Sequence, residues 1–227
     1  RNKPPFPGEH GLWGKPTLIN NVETLAFVPL IMKEGADAWR GRGQGPYAGL
    51  KFIALSGDVE KPDVYEVPMG TTIAALIAGA GGMKDGQALY ALAPGGASSN
   101  FITADGADLA LDFEALKEAG TMLGSGAVLA VAEGRDLLEL ATNIVAFFRN
   151  ESCGKCVPCR IGSEKAVLLL EDALEGRAKS THLPLIDELH DTMAQTSICG
   201  LGQVALSPFI SVKNSFAEDV EPRFGEE

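Results

Sequence analysis

The sequence predicts an α+β protein, with a sheet-forming first part followed by a helical second part. Three observations carry this reading. Between residues 51 and 131, short apolar runs alternate with turns bearing glycine and proline. From Asp136 onward the apolar residues take up helical spacing. All four cysteines, Cys153, Cys156, Cys159 and Cys199, fall in that helical part.

The first residues form an extended, turn-rich arm carrying Pro4, Pro5, Pro7 and Pro16 with Gly8, Gly11 and Gly14. Its opening at Arg1 has the texture of a connector inside a longer polypeptide. A helix is expected next, with Asn20 or Asn21 as N-cap and Glu23 as a capping-box partner. Val22, Leu25 and Ala26 follow, Pro29 is expected to force a kink or restart, and Gly35 to end the helix. Two adjacent carboxamides at such a helix start also present donors to a phosphate or a flavin ring. Gly41-Arg42-Gly43-Gln44-Gly45 follows no strand and lacks the dinucleotide spacing, so it reads as a flexible loop.

Residues 51–56 and 63–67 read as strands joined by the turn 57–62. Thr71 or Thr72 caps a short helix through Ile73, Leu76 and Ile77, stopped by Gly79. Leu89 to Ala93 is a third strand, followed by Pro94-Gly95-Gly96. Residues 97–126 are loop-rich with a helical piece around Phe113 to Ala119, and Ala127 to Val131 is a further strand. Strand, strand, helix, strand in this order is the pattern of a ubiquitin-like β-grasp domain, which several small folds share.

In the helical part, Leu137, Leu140, Ala141, Ile144, Val145 and Phe148 line one face of a helix that runs into the cysteine loop. A second helix leaves that loop with Ile161, Ala166, Val167 and Leu170 inward and Gly176 as its stop. A third spans 181–195 with Leu183, Ile186, Leu189 and Met193. A fourth follows Cys199-Gly200-Leu201-Gly202, using Val204, Leu206, Phe209 and Ile210, with Pro208 inside the pattern. These amphipathic segments predict a four-helix bundle with both cysteine loops at helix ends. The acidic ending, Glu218-Asp219-Val220-Glu221 and Glu226-Glu227, reads as a solvated tail.

Three thiols at a spacing of three, with a fourth from afar, suit a cubane iron–sulfur cluster, which takes four thiolates. Zinc competes for soft sulfur ligands, although structural zinc sites more often use two separated C-x₂-C pairs. A redox dithiol and unrelated buried cysteines are the remaining readings. His10, His182 and His190 are weighed as substitutes for Cys199, against ordinary partly exposed histidines. Lys155 and Arg160 beside the ligands are either solvated cations or charges that raise a cluster's potential by favouring its reduced form.

The net charge of −11 argues against a nucleic-acid backbone or an anionic membrane face as partner. No apolar run reaches the roughly 18–20 residues of a membrane span, and no secretory signal opens the chain. Few cysteines on one site fit a reducing compartment.

Several motifs together resemble a known family. They are Gly11-Leu12-Trp13-Gly14-Lys15-Pro16-Thr17, Asn20-Asn21-Val22-Glu23-Thr24, Ser56-Gly57, Pro94-Gly95-Gly96, Met122-Leu123-Gly124-Ser125-Gly126, residues 151–160, and Cys199-Gly200-Leu201-Gly202. The chain resembles the C-terminal half of the flavin-bearing, NADH-binding subunit of respiratory complex I. The same family includes the diaphorase subunits of NAD-reducing hydrogenases and the beta subunits of NAD-dependent formate dehydrogenases. The resemblance implies a [4Fe-4S] cluster on Cys153, Cys156, Cys159 and Cys199. It implies that Asn20, Asn21 and Thr24 line an FMN pocket, with Gly200 and Leu201 between flavin and cluster. It further implies a division into 1–45, an arm and helix completing the FMN domain, 46–132, a soluble-ligand-binding β-grasp domain, and 133–227, a helical cluster domain. The glycine-rich FMN and NAD(H) site belongs to the family's other half, so no catalytic residue is expected here. The expected setting is cytoplasmic, without membrane insertion. A [2Fe-2S] thioredoxin-like subunit and a larger catalytic subunit are the expected neighbours. Overall likeness favours the formate dehydrogenase beta subunit, ahead of the diaphorase and complex I.

Overall fold

A computed structural model describes residues 5–225. The start of the arm (Arg1 to Pro4) and the end of the acidic tail (Glu226-Glu227) lie outside the described residues. One five-stranded mixed sheet is built from β1 (Leu50–Gly57), β2 (Asp63–Pro68), β3 (Leu89–Ala93), β4 (Ile102–Thr103) and β5 (Ala127–Ala132). Its order is β2-β1-β5-β3-β4, with β1 and β5 parallel and the other pairs antiparallel. Antiparallel neighbours close through short turns, whereas the parallel pair needs the long crossover that residues 58–126 supply.

Three short helices serve this sheet: α2 (Ala36–Arg40), α3 (Ile73–Gly79) and α4 (Phe113–Glu118). Thr72 is the cap of α3, accepting from the Ala75 amide at 3.1 Å. Thr71 instead turns inward and donates to the Pro68 carbonyl. Ile73, Leu76 and Ile77 pack with Ile53, Leu55, Leu92 and Val128 in one apolar core. The glycine motifs are packing devices at the end of the sheet. A Cβ on Gly95 would lie 2.2 Å from the Met122 carbonyl oxygen, so the 94–96 and 122–126 segments meet backbone to backbone.

The remaining helices are α1 (Val22–Glu34), α5 (Leu137–Glu151), α6 (Val157–Leu174), α7 (His182–Thr196), α8 (Gly200–Val204), α9 (Ser207–Ser215) and α10 (Ala217–Val220). Helices α5, α6, α7 and α9 pack around a second core, which also takes in Ala91, Ala93 and Val131 from the sheet. Sheet and helices therefore share buried surface. A polar stitch reinforces the join: Ser211 on α9 accepts from the Phe101 amide at 2.8 Å and donates to the Pro208 carbonyl.

Five expectations are corrected. Pro29 does not interrupt α1, which runs continuously from Val22 to Glu34. The fourth helix of the cysteine region is two helices, α8 and α9, broken at Ala205-Leu206, and Pro208 stands in the first turn of α9, where its missing N–H costs nothing. Ile161 is 57% exposed, because the buried stripe of α6 runs through Cys159, Gly162, Ser163, Ala166, Val167 and Leu170 on another face. The segment 97–126 contains the two-residue strand β4. The acidic ending is not a loose tail over its described part: Val220 and Phe224 are buried, and Arg223 reaches Asp136, the cap of α5, at 2.5 Å. Asp219 accepts from the Tyr90 hydroxyl at 2.8 Å, while the Tyr90 ring tilts against Phe216. Burial first, then the Asp219 carboxylate, pushes Tyr90 up to about 12, so it stays a donor across ordinary pH.

Candidate metal centre and its surroundings

Residues 152–156 form a tight loop between α5 and α6, and Cys159 and Arg160 lie in the first turn of α6. Gly154 takes φ +69°, a left-handed turn that glycine adopts without strain. Its amide donates to Ser152 Oγ at 3.3 Å, and Ser152 Oγ lies 3.2 Å from Cys159 Sγ. The Arg160 guanidinium folds back to donate to the Gly154 carbonyl. Arg160 thus ties the loop to the start of α6 while remaining exposed to solvent. Ser163 donates to the Cys159 carbonyl at 2.6 Å, which fixes the first turn of α6.

The second loop, Ser197 to Cys199, joins α7 to α8, whose first residues are Gly200 and Leu201, and lies against the first. Two contacts establish the meeting. The Ile198 amide is the leading cause that holds the Cys156 thiol below its ordinary range, followed by the Cys159 amide, with desolvation opposing both. Gly202 faces Cys159 so closely that a Cβ there would lie 2.9 Å from the Cys159 Cβ. Gln203 Nε2 donates to the Ser197 carbonyl at 3.1 Å and holds the turn.

Cys156 caps α6 and Cys199 caps α8, so each loop delivers a thiol to a helix start. At Cys156 the amides of the two loops favour the thiolate. Cys159 is buried, Cys156 half-buried, and Cys153 and Cys199 exposed. None is in a disulfide. The Ser197 hydroxyl is buried without a formed hydrogen bond, and its effect on Cys156 is the smallest of those acting on that thiol. Among the described residues, no three His, Cys, Asp or Glu side chains close into the shell of a single metal ion. Of the histidines, His10 Nδ1 pairs with the Gly14 carbonyl and His182 Nδ1 with the Lys179 amide, while His190 Nδ1 is buried and unpaired.

The donor set fits an iron–sulfur cluster: four reduced thiols on two touching loops, with backbone amides and the Ser152 hydroxyl directed at sulfur. Gly202 is the residue that sequence spacing overlooked. Its signal, a glycine one turn beyond Cys199, acquires meaning only once Cys159 is seen beside it.

Asn20, Asn21 and Thr24 stand apart, at the exposed start of α1. Asn21 is the cap, accepting from the Thr24 amide at 3.2 Å, and Asn20 Oδ1 accepts from the Asn21 amide at 2.8 Å. With both carboxamide oxygens engaged by backbone, the NH₂ groups remain as donors. Leu18, Ile19 and Val22 beside them are exposed. Donors rimmed by apolar side chains fit a flavin, whose ring has a polar and an apolar edge. Among the described residues, no hydrogen bond or ion pair links this helix start to the cysteine loops. Glu23 is not a capping-box partner; it reaches the sheet, accepting from the Phe52 amide and pairing with Lys51.

Family comparisons agree with this layout. The model for the NADH-ubiquinone oxidoreductase-F iron-sulfur binding region matches residues 139–223, and the SLBB domain model matches 52–101. The chain is 36% identical over 220 residues to the NADP-reducing hydrogenase subunit HndC of Solidesulfovibrio fructosivorans, covering 96% of this chain and 45% of that one. It is 38% identical over 221 residues to the NADH-quinone oxidoreductase F subunit of Streptomyces coelicolor, covering 97% and 49%. A crystal structure of an NAD+-reducing [NiFe]-hydrogenase superposes with a TM-score of 0.85 at 30% identity, covering 99% of this chain and 38% of that one. The chain spans about half the length of the curated relatives it matches. With both family models and these relatives in agreement, the chain belongs to the NADH-ubiquinone oxidoreductase-F family and corresponds to its C-terminal half.

Proposed function

We propose that the chain is the electron-transfer portion of an NAD-linked oxidoreductase subunit, with a [4Fe-4S] cluster on Cys153, Cys156, Cys159 and Cys199. The observation that carries this is the meeting of the two cysteine loops, Cys156 against the Ile198 amide and Cys159 against Gly202. When bound, FMN exchanges a hydride with NAD(H) and the cluster takes single electrons, so the pair converts two-electron into one-electron chemistry. The chain's own residues hold and shield these groups. Ser152 and the amides of Ile198 and Cys159 stabilise negative charge on sulfur, and Arg160 fixes the loop. Asn20, Asn21 and Thr24 offer the flavin-facing contacts, and Gly200 and Leu201 the segment between flavin and cluster.

Three units follow from this reading. Residues 46–132 form a β-grasp domain, a reading supported by the sheet order and by the helix between β2 and β3. Residues 133–227 form the cluster domain, its bundle made by α5, α6, α7 and α9. Residues 1–45 complete the FMN domain. Supporting that last assignment, α1 is apolar on several faces yet buries only Phe27, leaving Val22, Leu25, Val28 and Met32 exposed, as in a helix that another domain covers. Relatives named as subunits support partner subunits, here a [2Fe-2S] thioredoxin-like protein and a larger catalytic subunit. Four unpaired thiols support a cytoplasmic setting. Among the described residues, no helix is long and apolar enough to cross a membrane. The formate dehydrogenase reading rests on the texture of the sequence alone, and the relatives reported above are hydrogenase and NADH-quinone oxidoreductase subunits. Formate-dependent cluster reduction in the complete complex tests it against hydrogen and quinone.

Metal analysis tests the main proposal. The anaerobically purified chain is expected to be brown, with about four irons, and to give an electron paramagnetic resonance signal when reduced. A colourless protein with one zinc overturns it. A second expectation concerns Arg160. Arg160→Gln removes a positive charge and the loop clamp, so the midpoint potential should fall by tens of millivolts, on a scale of about 59 mV per tenfold change in a one-electron equilibrium. Arg160→Lys should fall less. An unchanged midpoint in a redox titration of Arg160→Gln removes the electrostatic role.

A further inference from the structure

We propose that Glu23 is a positioning residue that sets the flavin-facing start of α1 relative to the sheet. This deepens the reading above and rests on Asn20, Asn21 and Thr24 contacting FMN. The argument begins in β1. Its residues from Leu50 to Leu55 pair with β2 on one side. On the other side β5 begins only opposite Ala54, whose amide donates to the Gly126 carbonyl at 2.8 Å. Amides at i and i+2 of a strand point the same way, so the Phe52 amide faces the place where β5 has not yet started. Without Glu23 this strand amide, on a residue 40% exposed, would have water in place of a ladder partner.

Glu23 fills that place. Its Oε1 accepts from the Phe52 amide at 2.8 Å, and its Oε2 lies 2.8 Å from Lys51 Nζ. The pair is well sheltered, with side chains 24% and 12% exposed. One carboxylate therefore acts as a missing ladder acceptor and as the counter-ion of a sheltered lysine.

The rest of α1 is thinly attached. Phe27 is its one buried side chain among the described residues, stacked on Phe52 at 5.6 Å and tilted against Trp39 at 4.7 Å. An open groove lined by Glu23, Thr24 and Ile31 of the helix and by Leu50, Lys51 and Met69 runs alongside this ring. The helix thus hangs on one aromatic contact, on the Glu34–Arg42 ion pair at its far end and on Glu23 near its start; of these, Glu23 alone sits between Asn21 and Thr24 in sequence. A shift at Glu23 is carried directly to both. With both oxygens committed inward, Glu23 acts on the flavin through its neighbours.

The test uses the full-length subunit and measures the FMN dissociation constant by flavin fluorescence, with iron content and melting temperature alongside. Glu23→Ala should weaken FMN binding about tenfold, the scale of one lost charge-assisted hydrogen bond, with iron content unchanged. Glu23→Gln keeps an acceptor for the Phe52 amide, so its binding should stay within about threefold of the unmodified protein. Unchanged FMN affinity in Glu23→Ala overturns the proposal, whatever the melting temperature does. Equal losses in Glu23→Ala and Glu23→Gln also overturn it. Asn21→Ala separates this from the parent reading: if it lowers FMN affinity while Glu23→Ala does not, only the positioning role fails. If neither variant changes affinity, the flavin-facing assignment of α1 fails as well.

Discussion

Phe209→Ala is expected to destabilise the protein by about 3–5 kcal/mol. Phe209 is 0% exposed and among the largest fully buried side chains. It lies on α9, in the core that α5, α6 and α7 share with Ala91, Ala93 and Val131 of the sheet. Shortening it to a methyl leaves a cavity that α9 cannot close, because Ser211, two residues on, is fixed to the Phe101 amide. For a chain of this length each kcal/mol shifts the melting temperature by about 2–4 °C, so the expected drop is roughly 6–20 °C. Because that core joins sheet and helices, signals from both should move together when followed by near- and far-ultraviolet circular dichroism. A drop confined to the helical signal, with the sheet melting as before, would show that the shared core does not couple them.

The fold was legible wherever large apolar residues repeat. The buried face of α5 follows the spacing of Leu137, Ala141, Val145 and Phe148, and the sheet strands follow their bounding turns. It was illegible where small residues make the contact. The inner face of α6 uses Gly162, Ser163 and Ala166, with Gly162 against Met193, so Ile161 drew the eye to the wrong side. Strand β4 has two residues and no pattern to read. In the candidate site, spacing singled out the thiols, and the two loops that carry them lie against each other. Glu23 did not, because its local neighbours offered a capping box while its partners, Lys51 and Phe52, lie 28 and 29 positions away. The cap itself fell to Asn21, one of the two residues the sequence allowed. Local chemistry nominates a role, and a distant strand amide and a sheltered lysine decide it.

Gly202→Ala is the variant expected to harm the cysteine site most for the smallest change in atoms. A Cβ at Gly202 would stand 2.5 Å from Ser197 Oγ, 2.7 Å from Ser197 Cβ and 2.9 Å from Cys159 Cβ. The hydroxyl can rotate away, but the two Cβ atoms are fixed to their backbones. One loop must therefore retreat from the other, at about 1–3 kcal/mol for overpacking of this kind. Retreat is the more serious consequence, since Cys199 travels with its loop while Cys153, Cys156 and Cys159 stay with theirs. Iron per chain should fall well below that of the unmodified protein, and further than the loss of stability alone accounts for. Gly79→Ala supplies the control: it adds the same methyl at the end of α3, away from the cysteine loops, with nothing within 4 Å of its Cβ, so iron content should hold. Ser197→Gly in the Gly202→Ala background removes two of the three close contacts and should restore part of the iron, leaving the Cys159 contact to account for the remainder. Equal iron in Gly202→Ala and Gly79→Ala would mean that the proposed cluster does not depend on the close approach of the two loops.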